Sequence, residues 1–314
     1  MARALNRDVE ALIRQARLAG AQPLESLPHE ETRRVYAASR REQQPPFDPL
    51  DDMRDVQIPV VDGSITLRIM RSGAAGEVLP CLLFMHGGGW VLGDLDSHEG
   101  MCRKLAVRAH CCVISVDYRL APEHPFPTAV EDSVAALLWV TKHAEALSID
   151  PARIAVGGDS AGGNLAAVLS LMGRNCCVPK PVFQLLLYPA VDLRMASTSF
   201  DHAAQGMLVD SKTIRWFVDQ YAPREADRDD WRASPARASS LAGTPPAFVL
   251  TCGHDPLCEE GRAYAERLER DGVAVTALHL SDQAHGVLNT GKDIAAVASA
   301  LNMAAATLVQ YWRD

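Results

Sequence analysis

Residues 153–172 constrain the fold of this chain more than any other stretch. A short apolar run at 154–156 reads as a buried strand, and residues 164–172 read as a helix. Between them lies Gly158-Asp159-Ser160-Ala161-Gly162, a G-x-S-x-G motif. A strand that turns straight into a helix holds its middle residue at positive φ. Glycines two positions to either side remove Cβ atoms that would collide in such a turn. The serine hydroxyl is then presented at the top of the sheet. The helix behind it directs its free N–H groups and the positive end of its dipole at the same point. That arrangement suits a serine that carries an oxyanion through acyl transfer. An ordinary glycine-rich strand-to-helix turn has the same composition, so the rest of the chain must supply a base and an acid.

Three other stretches supply these and an oxyanion hole. The apolar run 80–85 leads into His86-Gly87-Gly88-Gly89-Trp90. Consecutive glycines after a strand let backbone N–H groups turn towards a ligand, which is how an oxyanion hole is built from main chain. Gly88, Gly89 and Ala161 are the candidate donors; Gly87 sets the turn, and His86 braces the loop. The run 247–252 leads to Asp255, and a strand at 273–280 leads to a loop, 281–286, that carries His285. His285 is the candidate base and Asp255 the candidate acid that orients it, in the chain order Ser, Asp, His. Glu259 and Asp282 are the competing acids. Asp255 is preferred because it lies just past a strand, where Pro256 starts a new direction; the lesser reading is the N-cap of the next helix.

The pattern of short apolar runs alternating with helical segments predicts an α/β fold, a mostly parallel central sheet flanked by helices. Ligands bind such sheets at the carboxyl ends of the strands, where all four candidate stretches fall. Asp62-Gly63 between two alternating runs predicts a β-hairpin. Thr128 with Glu131 predicts a capping box opening a helix over 128–143, and another helix is expected over 99–109. The polar, proline-rich loop 117–127 reads as rigid, with Asp117, Arg119, Glu123 and His124 in structural roles.

Two segments stand outside the alternation. Residues 1–50 carry a partial helical stripe (Val9, Leu12, Ile13, Leu18), a second helix beginning near Glu30 and a proline-rich connector at 43–50. They read as a mobile arm or a helical lid. Residues 191–232 contain one amphipathic helix, 211–221, whose stripe of Ile214, Phe217, Val218 and Tyr221, with Trp216 beside it, is either core or pocket lining. The expected organisation is a helical cap from 1–50 and 191–232, with the catalytic core in 51–190 and 233–314.

A length of 314 residues accommodates one α/β domain with such a cap, and a net charge of −8 argues against nucleic acid or an anionic membrane as partner. No apolar run is long enough to span a bilayer and no leader pattern is seen, so a cytoplasmic location is expected. The eight cysteines form no C-x-x-C pair and are expected to be free, mostly buried thiols, with no zinc site.

Taken together, His86–Trp90, the segment 118–127, Gly158–Leu165, Asp255-Pro256-Leu257 and His285-Gly286 resemble the bacterial hormone-sensitive-lipase family of esterases (family IV) over residues 80–290. The resemblance implies an α/β-hydrolase core with a helical cap and no cofactor. It implies hydrolysis of short- to medium-chain acyl esters through an acyl-enzyme, often in a homodimer. It carries the nucleophile onto Ser160, the acid onto Asp255, the base onto His285 and the oxyanion loop onto residues 86–89. Two positions depart from the family pattern: Glu259 stands where aspartate is usual, and Val287 where phenylalanine is usual, which bears on the pocket near His285. A non-catalytic protein binding a small ligand on the same fold is the alternative. Amide hydrolysis or transacylation would use the same residues.

Overall fold

Asp62, at φ 60°, makes the tight turn that lets β1 (Asp52–Val60) fold back on β2 (Gly63–Arg71), with Val60 opposite Gly63 as the Asp-Gly pair predicts. The structure, a computed structural model, describes residues 4–18, 22–44, 47–202, 209–290 and 294–313. Pro45 and Pro46 of the expected connector, and residues 203–208 of the second outlying segment, lie outside them.

The remaining strands of the sheet are β3 (Leu79–Met85), β4 (Cys112–Asp117), β5 (Ile149–Asp159), β6 (Gln184–Leu187), β7 (Ala247–His254) and β8 (Val275–Ala284). Their order is β1-β2-β4-β3-β5-β6-β7-β8; β1, β2 and β4 pair antiparallel, and β4 through β8 run parallel. Every residue of β3 is buried, as expected for a strand covered on both faces. Its side chains alternate between two cores. Cys81, Leu83 and Met85 pack with α4 (Thr128–Lys142), α5 (Ala161–Arg174) and α8 (Cys258–Arg270). Leu82 and Phe84 pack with α3 (Leu95–Ala109) and α9 (Ala295–Arg313).

The outlying segments supply α1 (Arg7–Leu18), α2 (His29–Gln43), α6 (Thr198–His202) and α7 (Ser211–Tyr221). Val9 and Ile13 of α1 are buried in the second core, whereas Leu18 is exposed. The two segments meet: Thr213 of α7 donates to Glu25, ahead of α2, at 3.0 Å. Arg33 of α2 is clamped to the core by the carbonyls of Val91 (2.8 Å) and Ala121 (2.7 Å) and by the Glu123 carboxylate.

Several local expectations need correction. Thr128 does not cap α4; Pro127 holds that position with no side-chain bond, because the Pro125–Pro127 turn makes Thr128 the first helical residue. The expected helix at 99–109 begins at Leu95, four residues earlier. Asp94 and Ser97 there form a reciprocal capping box (2.6 and 2.9 Å) that the polar Ser97-His98 pair disguises. The last strand runs to Ala284 instead of ending near residue 280, through a bulge in its pairing with β7. In the loop 117–127, Arg119 makes a forked bond to the buried Asp132, and Glu123 takes Arg33; both are structural, as read. The cysteines are free; six are buried, and Cys176 and Cys177 are exposed. Among the described residues, no helix is long and apolar enough to cross a membrane.

Candidate active site

Ser160 follows the last residue of β5 and precedes the first of α5, with φ 55° and ψ −116°. Only a tightly packed turn holds a non-glycine residue there. The glycines beside it are required for close approach, since neither has positive φ. A Cβ on Gly158 would run into the backbone of Gly162, and one on Gly162 into the carbonyl of Met85. The Ser160 N–H donates to Leu187 of β6 at 2.9 Å, tying the turn to the next strand.

The other two candidate residues also begin where strands stop. Asp255 follows β7 and His285 follows β8. His285 Nε2 lies 2.9 Å from Ser160 Oγ, and His285 Nδ1 lies 2.8 Å from Asp255 Oδ2. All three residues are buried or nearly so, with Ser160 the most open at 9 %. The second carboxylate oxygen of Asp255 accepts the Leu257 N–H at 2.8 Å, so this residue both holds the imidazole and steadies the start of α8. The competing acids are committed elsewhere. Glu259 accepts from the Ser199 N–H and the Thr198 hydroxyl, and Asp282 bonds Gln283.

The glycine loop arrives from β3. Gly88 (φ 114°) and Gly89 (φ 62°) occupy the left-handed region, and the Gly88 carbonyl turns away to accept from Val91 and Leu92. Neither the Gly88 nor the Gly89 N–H has an acceptor among the described residues. Ala161, as the first residue of α5, has an N–H that no carbonyl of the helix can take. Gly87 opens the loop directly after His86. Its φ is ordinary, and it is glycine because a Cβ would strike Asp159.

Asp159 is the brace of this loop. It accepts the Gly87 N–H at 2.8 Å and faces His98 Nε2 at 3.3 Å. Burial pushes its carboxyl up, but His98 and the Gly87 N–H outweigh that and hold it below its ordinary value. His86 is fully buried, stacked on Tyr118 at 4.3 Å, with Nδ1 2.8 Å from the Gly87 carbonyl. Tyr118 donates its hydroxyl to the His86 carbonyl at 2.7 Å. Burial pushes the His86 pKa down to about 4, which keeps the ring neutral at pH 7. It contacts Gly87 and Tyr118, and no hydrogen bond joins it to Ser160 among the described residues.

The cleft above Ser160 has two arms. One is apolar, lined by Trp90, Leu193, Ile214, Phe217, Val218 and Leu257 with Glu260 in its wall. The stripe of α7 therefore serves both as core and as lining: Tyr221 stacks on Trp90 at 4.3 Å while Phe217 faces the cleft. Glu260 accepts the N–H groups of Val191 (2.7 Å) and Asp192 (3.2 Å), and its other oxygen has no partner among the described residues. Burial raises its pKa to about 8. The other arm is lined by Tyr36, Arg40, Val209, Asn289 and His285. Val287 lines neither arm; it is buried in the core beneath α9, so its departure from the family pattern does not shape the cleft wall.

Sequence reading passed over Arg33, Tyr36, Arg40 and Glu260, and weighed His98 only as a weak competitor for the base. For the first three a signal existed, because positions i, i+3 and i+7 share one helix face. For His98 and Glu260 none did, since each gains its meaning from a strand or loop distant in the chain.

A family model described as alpha/beta hydrolase fold matches residues 82–289, more than half of the chain. The carboxylic ester hydrolase LipN of Mycobacterium tuberculosis is 45 % identical over 245 residues, which span 76 % of this chain and 65 % of LipN. This falls just under two thirds of LipN's length. An ethyl acetate hydrolase of Pseudomonas putida is 36 % identical over 98 % of this chain and 99 % of its own. The solved structure of ester-hydrolase EH1AB1 from the metagenome of Lake Arreo, complexed with a derivative of bipyridine phosphonate, superposes with a TM-score of 0.94. It has 37 % identity and covers 99 % of this chain and 100 % of that one. With its eight-stranded mostly parallel sheet and its motifs in place, the chain belongs to the α/β-hydrolase family, in its hormone-sensitive-lipase-like branch, family IV.

Proposed function

We propose that the chain is a serine carboxylesterase acting on short- to medium-chain acyl esters. The observation that carries this reading is the continuous hydrogen-bond chain from Ser160 Oγ through His285 to Asp255, 2.9 and 2.8 Å long.

A serine hydroxyl needs a base within hydrogen-bond reach to become a nucleophile at neutral pH. Ser160 Oγ attacks the ester carbonyl as His285 Nε2 takes its proton. Asp255 keeps the other ring nitrogen protonated and stabilises the imidazolium. The carbonyl oxygen becomes an oxyanion, met by the N–H groups of Gly88, Gly89 and Ala161. His285 then returns the proton to the leaving alcohol, and the acyl group remains on Ser160. Water then attacks the acyl carbonyl as His285 takes its proton, and the bond to Ser160 Oγ breaks as His285 returns that proton to Oγ, so the acid leaves and the serine hydroxyl is restored. His86 and Gly87 support the oxyanion loop, and Asp159 restrains it through Gly87.

In this reading residues 1–50 and 191–232 form the cap over the core of 51–190 and 233–314, supported by the α7 and α2 side chains that line the cleft. The free thiols suit a cytoplasmic enzyme. A homodimer is proposed from the family resemblance, and light scattering at micromolar concentration tests it. A missing base would favour the non-catalytic alternative, whereas His285 sits within reach of Ser160.

The test is hydrolysis of p-nitrophenyl esters from acetate to laurate, with wild type and Ser160→Ala side by side. Turnover highest on the shorter chains and lower by on the order of 10⁴–10⁶ in the variant is expected. Equal turnover by both proteins, or none by wild type, would overturn the proposal.

A further inference from the structure

Among the described residues, Arg40 stands in the cleft without a counter-ion. Arg40 of α2 lines the arm that also holds Ser160 and His285. Its Nη1 donates to the Asn289 carbonyl at 3.1 Å, and its guanidinium lies 5.0 Å over the Tyr36 ring. No carboxylate pairs with it among the described residues, whereas its neighbour Arg41 pairs with Asp96 and Arg33, on the same face of α2, pairs with Glu123. Asp159, which lines the same arm, is turned inward onto the Gly87 N–H and His98. A guanidinium has five N–H donors in a planar fork that matches a carboxylate. Arg40 is half-buried, and holding such a cation partly out of water without an anion is costly. The Arg33 clamp fixes α2 against the core, so the guanidinium is held in place before substrate arrives.

The geometry also says which part of an ester reaches it. On the reading that His285 protonates the leaving alcohol, that alcohol must lie on the arm His285 lines. The other arm, whose own lining includes Trp90, Leu193 and Leu257, is left for the acyl chain. We infer that Arg40 is a specificity-determining residue that selects esters whose alcohol portion carries a carboxylate, that is, O-acylated hydroxy acids. The inference rests on the esterase reading above, and the experiment separates the two.

The experiment compares kcat/KM for 4-acetoxybenzoate and its neutral counterpart 4-acetoxybenzamide in wild type, Arg40→Lys and Arg40→Leu, with p-nitrophenyl acetate as reference. Comparing the ratio of the two esters between proteins cancels their difference in leaving group. That ratio falls about 10- to 100-fold in Arg40→Leu, the range for one charge-assisted hydrogen-bonded contact. The loss appears mainly in KM, and Arg40→Lys retains part of the preference. In the wild type alone, raising ionic strength from about 0.02 to about 0.5 M lowers kcat/KM for the carboxylate ester and leaves the amide unmoved. This second readout needs no variant to fold.

An unchanged ratio in Arg40→Leu, or a wild type indifferent to salt on both esters, overturns the inference and leaves Arg40 as a strap to Asn289. A charge preference seen only with p-nitrophenyl hemisuccinate, whose carboxylate is on the acyl side, also overturns it. A wild type inert on p-nitrophenyl acetate as well overturns the esterase reading itself.

Discussion

Asp255 and His285 each occupy the position directly after a cross-strand pair, His254 of β7 opposite Ala284 of β8. Two adjacent parallel strands thus deliver the acid and the imidazole side by side, 2.8 Å apart, although they are thirty positions apart in the chain. The bulge between Cys252 and His254 sets this register. Without it the two residues would leave the sheet at different heights.

Because Asp255 uses one oxygen for His285 and the other for the Leu257 N–H, Asp255→Asn is expected to keep the fold and lose the imidazole's orientation. kcat on p-nitrophenyl butyrate falls by on the order of 10⁴, with the thermal midpoint changed little. A variant within tenfold of wild type would remove Asp255 from the proposed mechanism.

Gly162 is where α5 touches β3. A methyl group there meets the Met85 carbonyl, so Gly162→Ala pushes the helix off the sheet and moves Ser160 and the Ala161 N–H with it. The expected cost is about 1–3 kcal/mol of stability, with a drop in kcat on the order of 10² from misplacement. Gly63, whose added Cβ meets nothing within 4 Å, is the control; Gly63→Ala stays within about 0.5 kcal/mol. Urea midpoints for the pair decide the matter, and indistinguishable values would contradict it.

Phe217 covers Gly89 and lines both arms of the cleft. Phe217→Ala opens that space and shifts the acyl preference towards longer p-nitrophenyl esters. Its ring is buried, so stability falls as well, by up to about 3–5 kcal/mol. An unaltered chain-length profile in a folded variant would place the acyl group elsewhere.

Glu260 links stability to pH. Burial, opposed by the Val191 and Asp192 N–H groups, raises its pKa from 4.5 to about 8. Between those values the unfolded chain has released the proton and the folded chain keeps it. The contribution of Glu260 to stability is full below about 4.5 and is lost as pH rises towards 8, with a slope of at most about 1.4 kcal/mol per pH unit. Asp192 and Asp255, which face Glu260, add to the upward push. Glu260→Gln retains the acceptor for both N–H groups and cannot ionise. It should flatten this decline and be the more stable form at pH 9, as urea titrations between pH 5 and 9 would show. Parallel profiles for the two proteins would mean that Glu260 is already ionised in the folded state.

Much of the site was legible in the sequence because each of its parts is local. Ser160 between Gly158 and Gly162, the triplet after β3, and an acid and a histidine each just past an apolar run are signals each contained within a few neighbouring residues. The alternation of runs and helices was enough for the sheet, since buried parallel strands are short and continuously apolar. The hairpin at Asp62-Gly63 was likewise written in two residues. What the sequence alone could not decide depends on contacts between distant segments. That Asp159 braces Gly87, that Glu260 is buried against residues 191–192, and that β8 continues to Ala284 through a bulge follow from packing and register, which no local pattern records. The place of Arg40 is the clearest case. In the sequence it is one of several arginines on a charged helix, and only the docking of α2, through Arg33 onto the Val91 and Ala121 carbonyls, carries it into the cleft beside His285. Local backbone preference and hydrophobic pattern set the elements and the catalytic order. Tertiary packing, which brings side chains together regardless of their spacing along the chain, decided the depth, charge and walls of the cleft.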